Sequence, residues 1–531
     1  MKNRIRIYVI CLMTLGLVGL TGPTALWSAR AEIDVPAPGA IRLTPPPPVF
    51  DQAKRLEELA SRRKRVAETI GSKGMLVLFS AEPRVYTNDV DYPFRQENNL
   101  YYLTNLNQSR ATLVLMPGNS VTPEILFVPR RNPLAETWTG HMYSPEEVAQ
   151  LSGIREIWEA SEFDNFVKAI RSRESYRPKP ANILMSDRSQ AATSANGFES
   201  LFSAVTNNEA SLYLLSFPHE GESKEYRQEQ LFGMGWKDSS FKIQNASSIF
   251  AQMRVYKSPM ELELLQHAVD ISIEAHQRAQ AFAIQAKWEY EVDAQVAYTF
   301  KLRNADNWGY PDIVGCGPNA TTLHYEESQG PVKSGDLILM DVGAEYGHYS
   351  ADVTRTFPVN GKFSKEQAEI YQIVYDAQEA AARAAKPGAS LSDIDRAARE
   401  VIKDGLLKLG LITDKGADWQ YRLWFMHGTG HWIGMNVHDV GGGSRFAPGA
   451  TFTNEPGIYV RPDALENLSK SSGREQFIST IKPAFEKYKG IGVRIEDDML
   501  ITPDGVKWMT GALPRSIADI EAFIAQARRA S

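Results

Sequence analysis

The chain has 531 residues, with two Cys, nine His and a formal net charge of −6. This length predicts two to three domains. An apolar fraction of 43% and a charged fraction of 23% are typical of a soluble globular protein and exclude a disordered chain. Two cysteines exclude a disulfide framework and a cysteine-rich zinc module. The mildly acidic balance argues against a broadly basic nucleic-acid binder, so we expect no nucleic-acid partner.

Residues 1–31 have the pattern of a secretory signal peptide. A basic N-terminal region precedes an apolar stretch at about 7–20, and Ala29-Arg30-Ala31 matches a small-residue cleavage site. The alternative is a retained membrane anchor, but the apolar run is short for a span, which takes about 20 residues. We therefore expect a Sec-type signal, export to the periplasm or the medium, and no membrane span after cleavage.

A proline-rich linker and a first domain follow. Residues 32–50 include the run Pro45 to Pro48, which predicts a stiff, extended spacer. Residues 51–250 predict an α/β domain, in which Asp51 caps a helix that Gly71 closes. Residues 205–250 show no clear periodicity. Strand-like runs lie at 75–79, 111–116 and 124–128.

Residues 251–531 predict a second domain that also mixes helices and strands. Ser258-Pro259-Met260-Glu261 is a capping box with proline at the first helical position, and further helices are predicted to start near 364 and 390. The predicted fold class of the whole chain is therefore α/β, with α+β character. Strand-like runs lie at 336–342, 349–358, 451–460 and 492–501.

Two aspartates stand near each other in this second domain. Asp341 ends an otherwise apolar strand, and Asp352 follows after a stretch in which Gly347 can turn the chain. A hairpin would bring the two carboxylates close together. Adjacent buried carboxylates are costly unless a cation neutralises them, so the pair indicates a metal site.

Further metal-ligand residues follow in glycine-rich or strand-like segments. His431 lies in a segment with His427 and His438, Glu455 precedes a proline that holds it extended, and Glu496 follows Arg494 by two residues. Each of these alone is more often a packing, turn or surface residue. Two Asp, one His and two Glu together form a ligand set for two divalent metal ions. The combined ligands are Asp341, Asp352, His431, Glu455 and Glu496.

Charge balance supports two cations. Four carboxylates contribute four negative charges, which two divalent ions would cancel, and a water that bridges them would ionise readily. The ligand types suit Mn²⁺, with Co²⁺ or Zn²⁺ as alternatives.

The order and spacing of these residues resemble the pita-bread metallopeptidases, peptidase family M24, which include methionine aminopeptidase, aminopeptidase P and prolidase. The resemblance covers about 251–515, and the five ligands match in order. Segments 91–96, 101–104 and 133–140 are similar to the creatinase-like N-terminal domain of aminopeptidase P, except that Asn105 replaces a common glycine. Creatinase shares this layout without the metal ligands. The resemblance therefore implies an aminopeptidase P-type N-terminal domain followed by a pita-bread catalytic domain.

The resemblance also implies roles for individual residues. Glu455 would act as general base as well as ligand. His324 and His438 would contact the substrate carbonyl and stabilise the oxyanion. His427 matches a histidine of proline-specific members, and Arg494 either faces the substrate or orients carboxylates.

The implied function is a dinuclear-metal exopeptidase that hydrolyses the N-terminal Xaa-Pro bond of peptides by means of a metal-bridging hydroxide. The substrates would be peptides with proline at the second position, and relatives imply a dimer or tetramer. One alternative is an Xaa-Pro dipeptidase, or prolidase, because the polar segment 461–489 resembles a connection that some prolidases lengthen. This segment, with a predicted loop at 470–473, would either decorate the surface or restrict substrate length. A remote alternative is a non-catalytic peptide-binding module.

Overall fold

The computed structural model describes residues 41–187, 197–215, 226–237, 239–466, 468 and 472–530. The predicted signal peptide at 1–31 and the first part of the linker, 32–40, lie outside the described residues, so export stays a prediction. No helix within the described ranges combines the length and apolar character needed to cross a bilayer.

A seven-stranded mixed sheet is the centre of the first unit. Its strands, together with a separate hairpin of β2 and β3, are β1 (Gly74–Phe79), β2 (Val85–Thr87), β3 (Val90–Asp91), β4 (Thr112–Leu115), β5 (Glu124–Val128), β6 (Ile157–Glu159), β7 (Ile183–Met185), β8 (Ser211–Leu214) and β9 (Lys242–Asn245). The strand order of the sheet is β7-β6-β5-β4-β1-β8-β9, with β1–β8, β5–β6 and β8–β9 parallel. The predicted strands 75–79, 111–116 and 124–128 are thus present.

Helices cover this sheet. They are α1 (Gln52–Ile70), α2 (Asn98–Thr104), α3 (Pro133–Thr139), α4 (Pro145–Ser152), α5 (Phe163–Ser172), α6 (Glu199–Thr206), α7 (Arg227–Met234) and α8 (Ser247–Arg254). Helix α1 starts as predicted, with the Asp51 side chain accepting from the Lys54 amide, and ends at Gly71 with φ 69°. Residues 205–250 lack a visible periodicity because β8, α7 and β9 are only four to eight residues long.

The described end of the proline-rich linker is bound to the second unit. Residues 41–50 have no regular secondary structure, as predicted for an extended segment. Arg42 bonds Asp270 at 2.8 Å, and the Thr44 amide and hydroxyl both donate to Glu274 at 2.7 Å. This part of the predicted spacer is therefore docked on a helix of the second unit.

The second unit contains α9 (Pro259–Phe282), α10 (Glu289–Leu302), α11 (Lys365–Ala384), α12 (Leu391–Leu409), α13 (Asp418–Tyr421), α14 (Ser472–Tyr488) and α15 (Ile517–Ala530). The helix starts predicted at Ser258 and near 364 and 390 are present, and capping boxes at Ser258, Ser364 and Ser390 begin α9, α11 and α12. Long helices α11 and α12 pack against each other, and the apolar faces of these helices join the strands in one large hydrophobic core.

Short sheets contribute the strands of the second unit. The strands are β10 (Asn307–Trp308), β11 (Ile313–Cys316), β12 (Leu337–Asp341), β13 (Ala344–Tyr346), β14 (Tyr349–Ser350), β15 (Thr354–Pro358), β16 (Thr451–Asn454), β17 (Gly457–Tyr459), β18 (Gly492–Arg494), β19 (Asp497–Thr502) and β20 (Gly505–Trp508). The sheets are β10-β13-β14, β11-β12-β15, β16-β19-β20 and β17-β18.

Three of the predicted strands are each divided into two. Runs 349–358, 451–460 and 492–501 break at Asp352, Glu455 and Glu496, where the chain leaves one sheet and joins another. A continuous strand would alternate side chains between its two faces. At each break the ladder is interrupted, and a carboxylate residue occupies the gap. The breaks therefore place carboxylates between the sheets.

The segment 461–489 differs from its prediction. Positions 470 and 471 of the predicted loop 470–473 lie outside the described residues, while α14 already begins at Ser472. Phe477, Ile481 and Phe485 recur at intervals of four and are buried, so the segment presents an apolar helical face to the core. Its polar composition concealed this face.

Candidate metal centre

Strand ends and strand breaks of the second unit gather the predicted ligands. Asp352, His431 and Glu496 each offer one ligand atom, and these atoms lie within 4.8 Å of one another. The predicted hairpin is present, with β13 and β14 joined through Gly347 at φ 57°. Asp341 ends β12 opposite Thr354, close to Asp352.

Glu455 joins the same group. His431 Nε2 lies 3.3 Å from Asp352 Oδ2 and 3.5 Å from Glu455 Oε1. The glycine-rich segment approaches β16 closely, because a Cβ on Gly430 would stand 2.0 Å from the Thr453 carbonyl oxygen. Only glycine fits at that point, which explains the composition of the segment around His431.

Protein hydrogen bonds orient the His431 imidazole. Its Nδ1 lies 3.1 Å from the Trp432 carbonyl, so Nδ1 carries the proton and Nε2 faces the carboxylates. This is the arrangement in which a histidine binds a metal through Nε2.

The electrostatics favour a bound cation. Burial and the neighbouring Asp352 raise the pKa of Glu496 well above its usual range, and burial with Asp352 also raises the pKa of Glu455 to about 7. Burial opposes a charged His431, yet Asp352 and Glu455 outweigh it and raise the pKa of His431 to about 9. The carboxylates thus repel one another, and a bound cation would reduce that repulsion. The donor atoms are carboxylate oxygens and an imidazole nitrogen, which fit divalent metal ions.

Arg494 is enclosed by the site. Its side chain is 5% exposed and donates to Asp341 Oδ2 at 2.5 Å. It also donates to the Thr354 hydroxyl at 3.0 Å and to the Tyr459 hydroxyl at 2.9 Å. These contacts favour the carboxylate-orienting alternative over direct contact with a substrate.

The three accessory histidines lie near the predicted ligands or near one another. His427 Nδ1 lies 3.5 Å from Glu455, and its Nε2 lies 2.8 Å from the Tyr459 hydroxyl. Burial, and then Arg494, lowers the pKa of His427 to about 3, so the ring is neutral at physiological pH. His438 stands edge-to-face on His431 with ring centroids 4.3 Å apart. His324 is exposed and lies near enough to His427 to contribute to its lowered pKa.

Several site residues were not found from the sequence. Tyr310 donates to Asp341 Oδ1 at 2.5 Å, and the Thr354 hydroxyl donates to Glu496 at 2.6 Å. Asp498 accepts from the Asp352 amide at 3.0 Å. Neither Tyr310 nor Thr354 carries a recognisable signal, whereas Asp498 stands in the acidic run after Glu496. That run is buried and is not the solvated edge that such a sequence can also form.

A buried network fixes the strand that carries Glu496. Arg355 donates to the Glu496 carbonyl at 2.7 Å and pairs with Asp497 at 2.6 Å, and all three residues are buried. Gln378 on α11 donates to Asp497 at 2.8 Å. The ligand strand is therefore tied to the helical layer behind it.

Comparisons with known proteins give two family matches. Residues 263–503 match the model of metallopeptidase family M24, and residues 59–177 match that of the aminopeptidase P N-terminal domain. The matches fall on the two predicted units and confirm the predicted fold class.

Individual relatives span nearly the whole chain. A Xaa-Pro aminopeptidase of Haemophilus influenzae is 33% identical over 475 residues, which cover 88% of this chain and 96% of the relative. Aminopeptidase P from E. coli, in its low-pH form, superimposes with a TM-score of 0.73 at 28% identity, covering 91% of this chain and 100% of that one. The E. coli protein with the inhibitor Pro-Leu matches with a TM-score of 0.70 at 29% identity, covering 89% and 99%.

Proposed function

Since the chain belongs to the Xaa-Pro aminopeptidases of metallopeptidase family M24 and is a metallo-aminopeptidase, we propose that it removes the N-terminal residue from peptides whose second residue is proline. The single observation that carries the proposal is the convergence of Asp352, His431 and Glu496 within 4.8 Å. The E. coli relative that carries the inhibitor Pro-Leu supports a site for proline-containing peptides.

Five side chains would hold two divalent cations, most simply Mn²⁺, with Co²⁺ or Zn²⁺ as alternatives. When bound, these cations would supply Lewis acidity and lower the pKa of a bridging water. Asp341, Asp352, His431 and Glu496 would act as ligands, and Glu455 would combine the ligand role with that of general base. The proposed ligands are Asp341, Asp352, His431, Glu455 and Glu496.

Glu455 is the proposed general base. Its carboxylate lies in the buried pocket, 3.5 Å from His431 and 3.5 Å from His427, so it can accept the proton of the attacking water. The same proton can then reach the proline nitrogen as that amide breaks. Burial favours the protonated form of Glu455 and so favours transfer of the water proton to this carboxylate.

The accessory histidines would bind and polarise the substrate. His438 and His324 are both exposed and interact electrostatically with each other, so an entering peptide carbonyl would be able to reach them. As hydrogen-bond donors they would stabilise the oxyanion that forms on that carbonyl. Tyr459 holds the neutral His427 in place, where it would line the pocket for the proline ring.

The length of the preferred substrate distinguishes an aminopeptidase, which cleaves longer peptides, from a dipeptidase. Segment 461–489, which raised the prolidase alternative, contains α14, and this helix packs on Trp419 and Trp424 in the helical layer. That packing supports a structural role for the segment, as the proposed preference for longer peptides requires.

The test is hydrolysis of Xaa-Pro dipeptides and of Xaa-Pro-Xaa peptides that share the first two residues. We expect a higher kcat/KM for the longer peptides, and no cleavage when alanine replaces proline. Strict cleavage of dipeptides would assign the chain to prolidase activity instead.

A further inference from the structure

The loop that carries His438 is anchored from outside the catalytic unit. This loop, residues 435–439, is called the His438 loop here. His438 itself is exposed, whereas the side chain of the next residue, Asp439, is fully buried. His438 thus belongs to a loop that also contains buried polar groups, and residues of the first unit bind several of them.

Two residues of the first unit bind the middle of the His438 loop. Arg95 donates from Nη2 to the Met435 carbonyl at 2.7 Å, and Asn98 donates to the Asn436 side-chain oxygen at 2.8 Å. Arg95 also donates to Asn98 at 2.9 Å and pairs with Glu345 at 2.7 Å. Each donor is thereby held in the orientation that reaches the loop.

A buried ion pair fixes the end of the loop. Arg254 at the end of α8 donates to Asp439 Oδ1 at 2.5 Å, and Lys257 Nζ lies 3.6 Å from Asp439 Oδ2. The other arm of Arg254 donates to Asn99 of the first unit at 2.8 Å. The side chains of Arg254, Lys257 and Asp439 are each at most 3% exposed, so the ion pair is shielded from solvent and salt.

We propose that Arg95, Asn98 and Arg254 are positioning residues for His438, so that the first unit completes the active site. The inference rests on the role given to His438 under the proposed function. A catalytic imidazole must be held within about 0.5 Å of its productive position, and a misplacement of about 1 Å can cost about 100-fold in rate. The His438 loop gains that precision from hydrogen bonds across the boundary between the units.

The first experiment compares Asn98→Ala with a matched contact that avoids the loop. Glu58→Ala also removes a bond across the boundary, because Glu58 accepts from Ser258 at 2.7 Å. We expect Asn98→Ala to lower kcat about tenfold with KM within about twofold, since the oxyanion donor is displaced while binding persists. Glu58→Ala should keep the wild-type kcat. Bound metal is measured in both variants and should match the wild type.

Arg95→Lys provides a second variant in case Asn98→Ala fails to fold. It keeps a positive charge beside Glu345 but removes the planar fork that also reaches Met435. A similar fall in kcat, with unchanged metal content, is the expected result.

A double-mutant cycle with His438→Ala decides the mechanism. If Asn98 acts through His438, Asn98→Ala should change kcat by less than about twofold once His438 is already alanine. A full tenfold decrease in kcat in that background would overturn the positioning role but leave the proposed function standing. Wild-type kcat for both Asn98→Ala and Arg95→Lys would have the same meaning. Wild-type kcat for His438→Ala would instead contradict the role assigned to His438, and the inference with it.

Discussion

At the scale of single residues, two of the proposed carboxylate ligands are fixed by residues outside the ligand set. Asp341 is held by Tyr310 and Arg494, and Glu496 by Thr354, all with distances of 2.5–2.6 Å. Such outer contacts aim a carboxylate before any cation arrives. The close carboxylates repel one another, so their geometry is maintained at an energetic cost that a cation would offset.

Asp352→Asn and Glu496→Gln should each remove metal and activity together. Both changes keep the shape of the side chain but take away one of the negative charges that two cations share. Loss of about 4 kcal/mol of transition-state stabilisation lowers kcat by about 10³-fold, so we expect a decrease of at least about that size. Metal content and turnover are measured on the same samples. Wild-type turnover in Asp352→Asn would show that the site is assigned wrongly.

Arg494→Lys distinguishes the two roles that the sequence leaves open for this residue. Lysine cannot reach Asp341, Thr354 and Tyr459 at once, so metal affinity should fall about 10- to 100-fold. KM measured at saturating metal should change little. A higher KM with unaltered metal affinity would place Arg494 at the substrate instead.

At the scale of elements, the packing of α14 should contribute to the stability of the fold and leave the substrate preference unchanged. Phe477 and Ile481 are buried between α14 and the core, so Phe477→Ala should lower the free energy of unfolding by about 3–5 kcal/mol and Ile481→Ala by about 2–5 kcal/mol. Lys482→Ala, on the exposed side of the same helix, is the control. Chemical denaturation measures the stability of all three variants. The preference for longer peptides should stay the same in each, whereas a switch to dipeptides would show that α14 limits substrate length.

The cluster of bonds around Glu274, which includes the linker residue Thr44, should make stability sensitive to acid. Burial alone would raise the pKa of Glu274, but bonds from Arg303, Thr44 and Arg278 lower it to about 2. Because the folded pKa lies below the unfolded value, this stabilisation is present above about pH 4.5 and is lost as pH falls toward about 2.

Glu274→Gln is the corresponding test. At pH 7 the variant should be less stable by roughly 2–3 kcal/mol, and its stability should decline less steeply between pH 4.5 and 2. Thermal unfolding across this pH range measures both effects. An unchanged acid profile would mean that Glu274 does not anchor the segment through its charge.

Elements with local signals were predictable, and elements set by tertiary contacts were not. The capping boxes at Ser258 and Ser364 fix helix starts within four residues of sequence, so they were found directly. The breaks at Asp352 and Glu455 depend on which sheet each half-strand joins, and that pairing is non-local. Tyr310 and Thr354 are ordinary residues in the sequence and become site residues only through the fold.

At the scale of the whole molecule, the two units share one functional surface. The five proposed ligands all lie in the second unit, yet Arg95 and Asn98 of the first unit bind the His438 loop. An isolated second unit would therefore keep its ligands but lose the anchor of an accessory histidine. The Haemophilus influenzae relative matches 88% of this chain and 96% of its own length, so the similarity spans both units.

The most direct test of the dinuclear metallo-aminopeptidase is a metal titration of the purified chain. Chelated protein is given Mn²⁺ in steps while bound ions per chain and hydrolysis of an Xaa-Pro-Xaa peptide are followed together. We expect no activity in chelator and full recovery as occupancy approaches about two ions per chain. A chain that binds no divalent ion and keeps its activity in chelator would contradict the account.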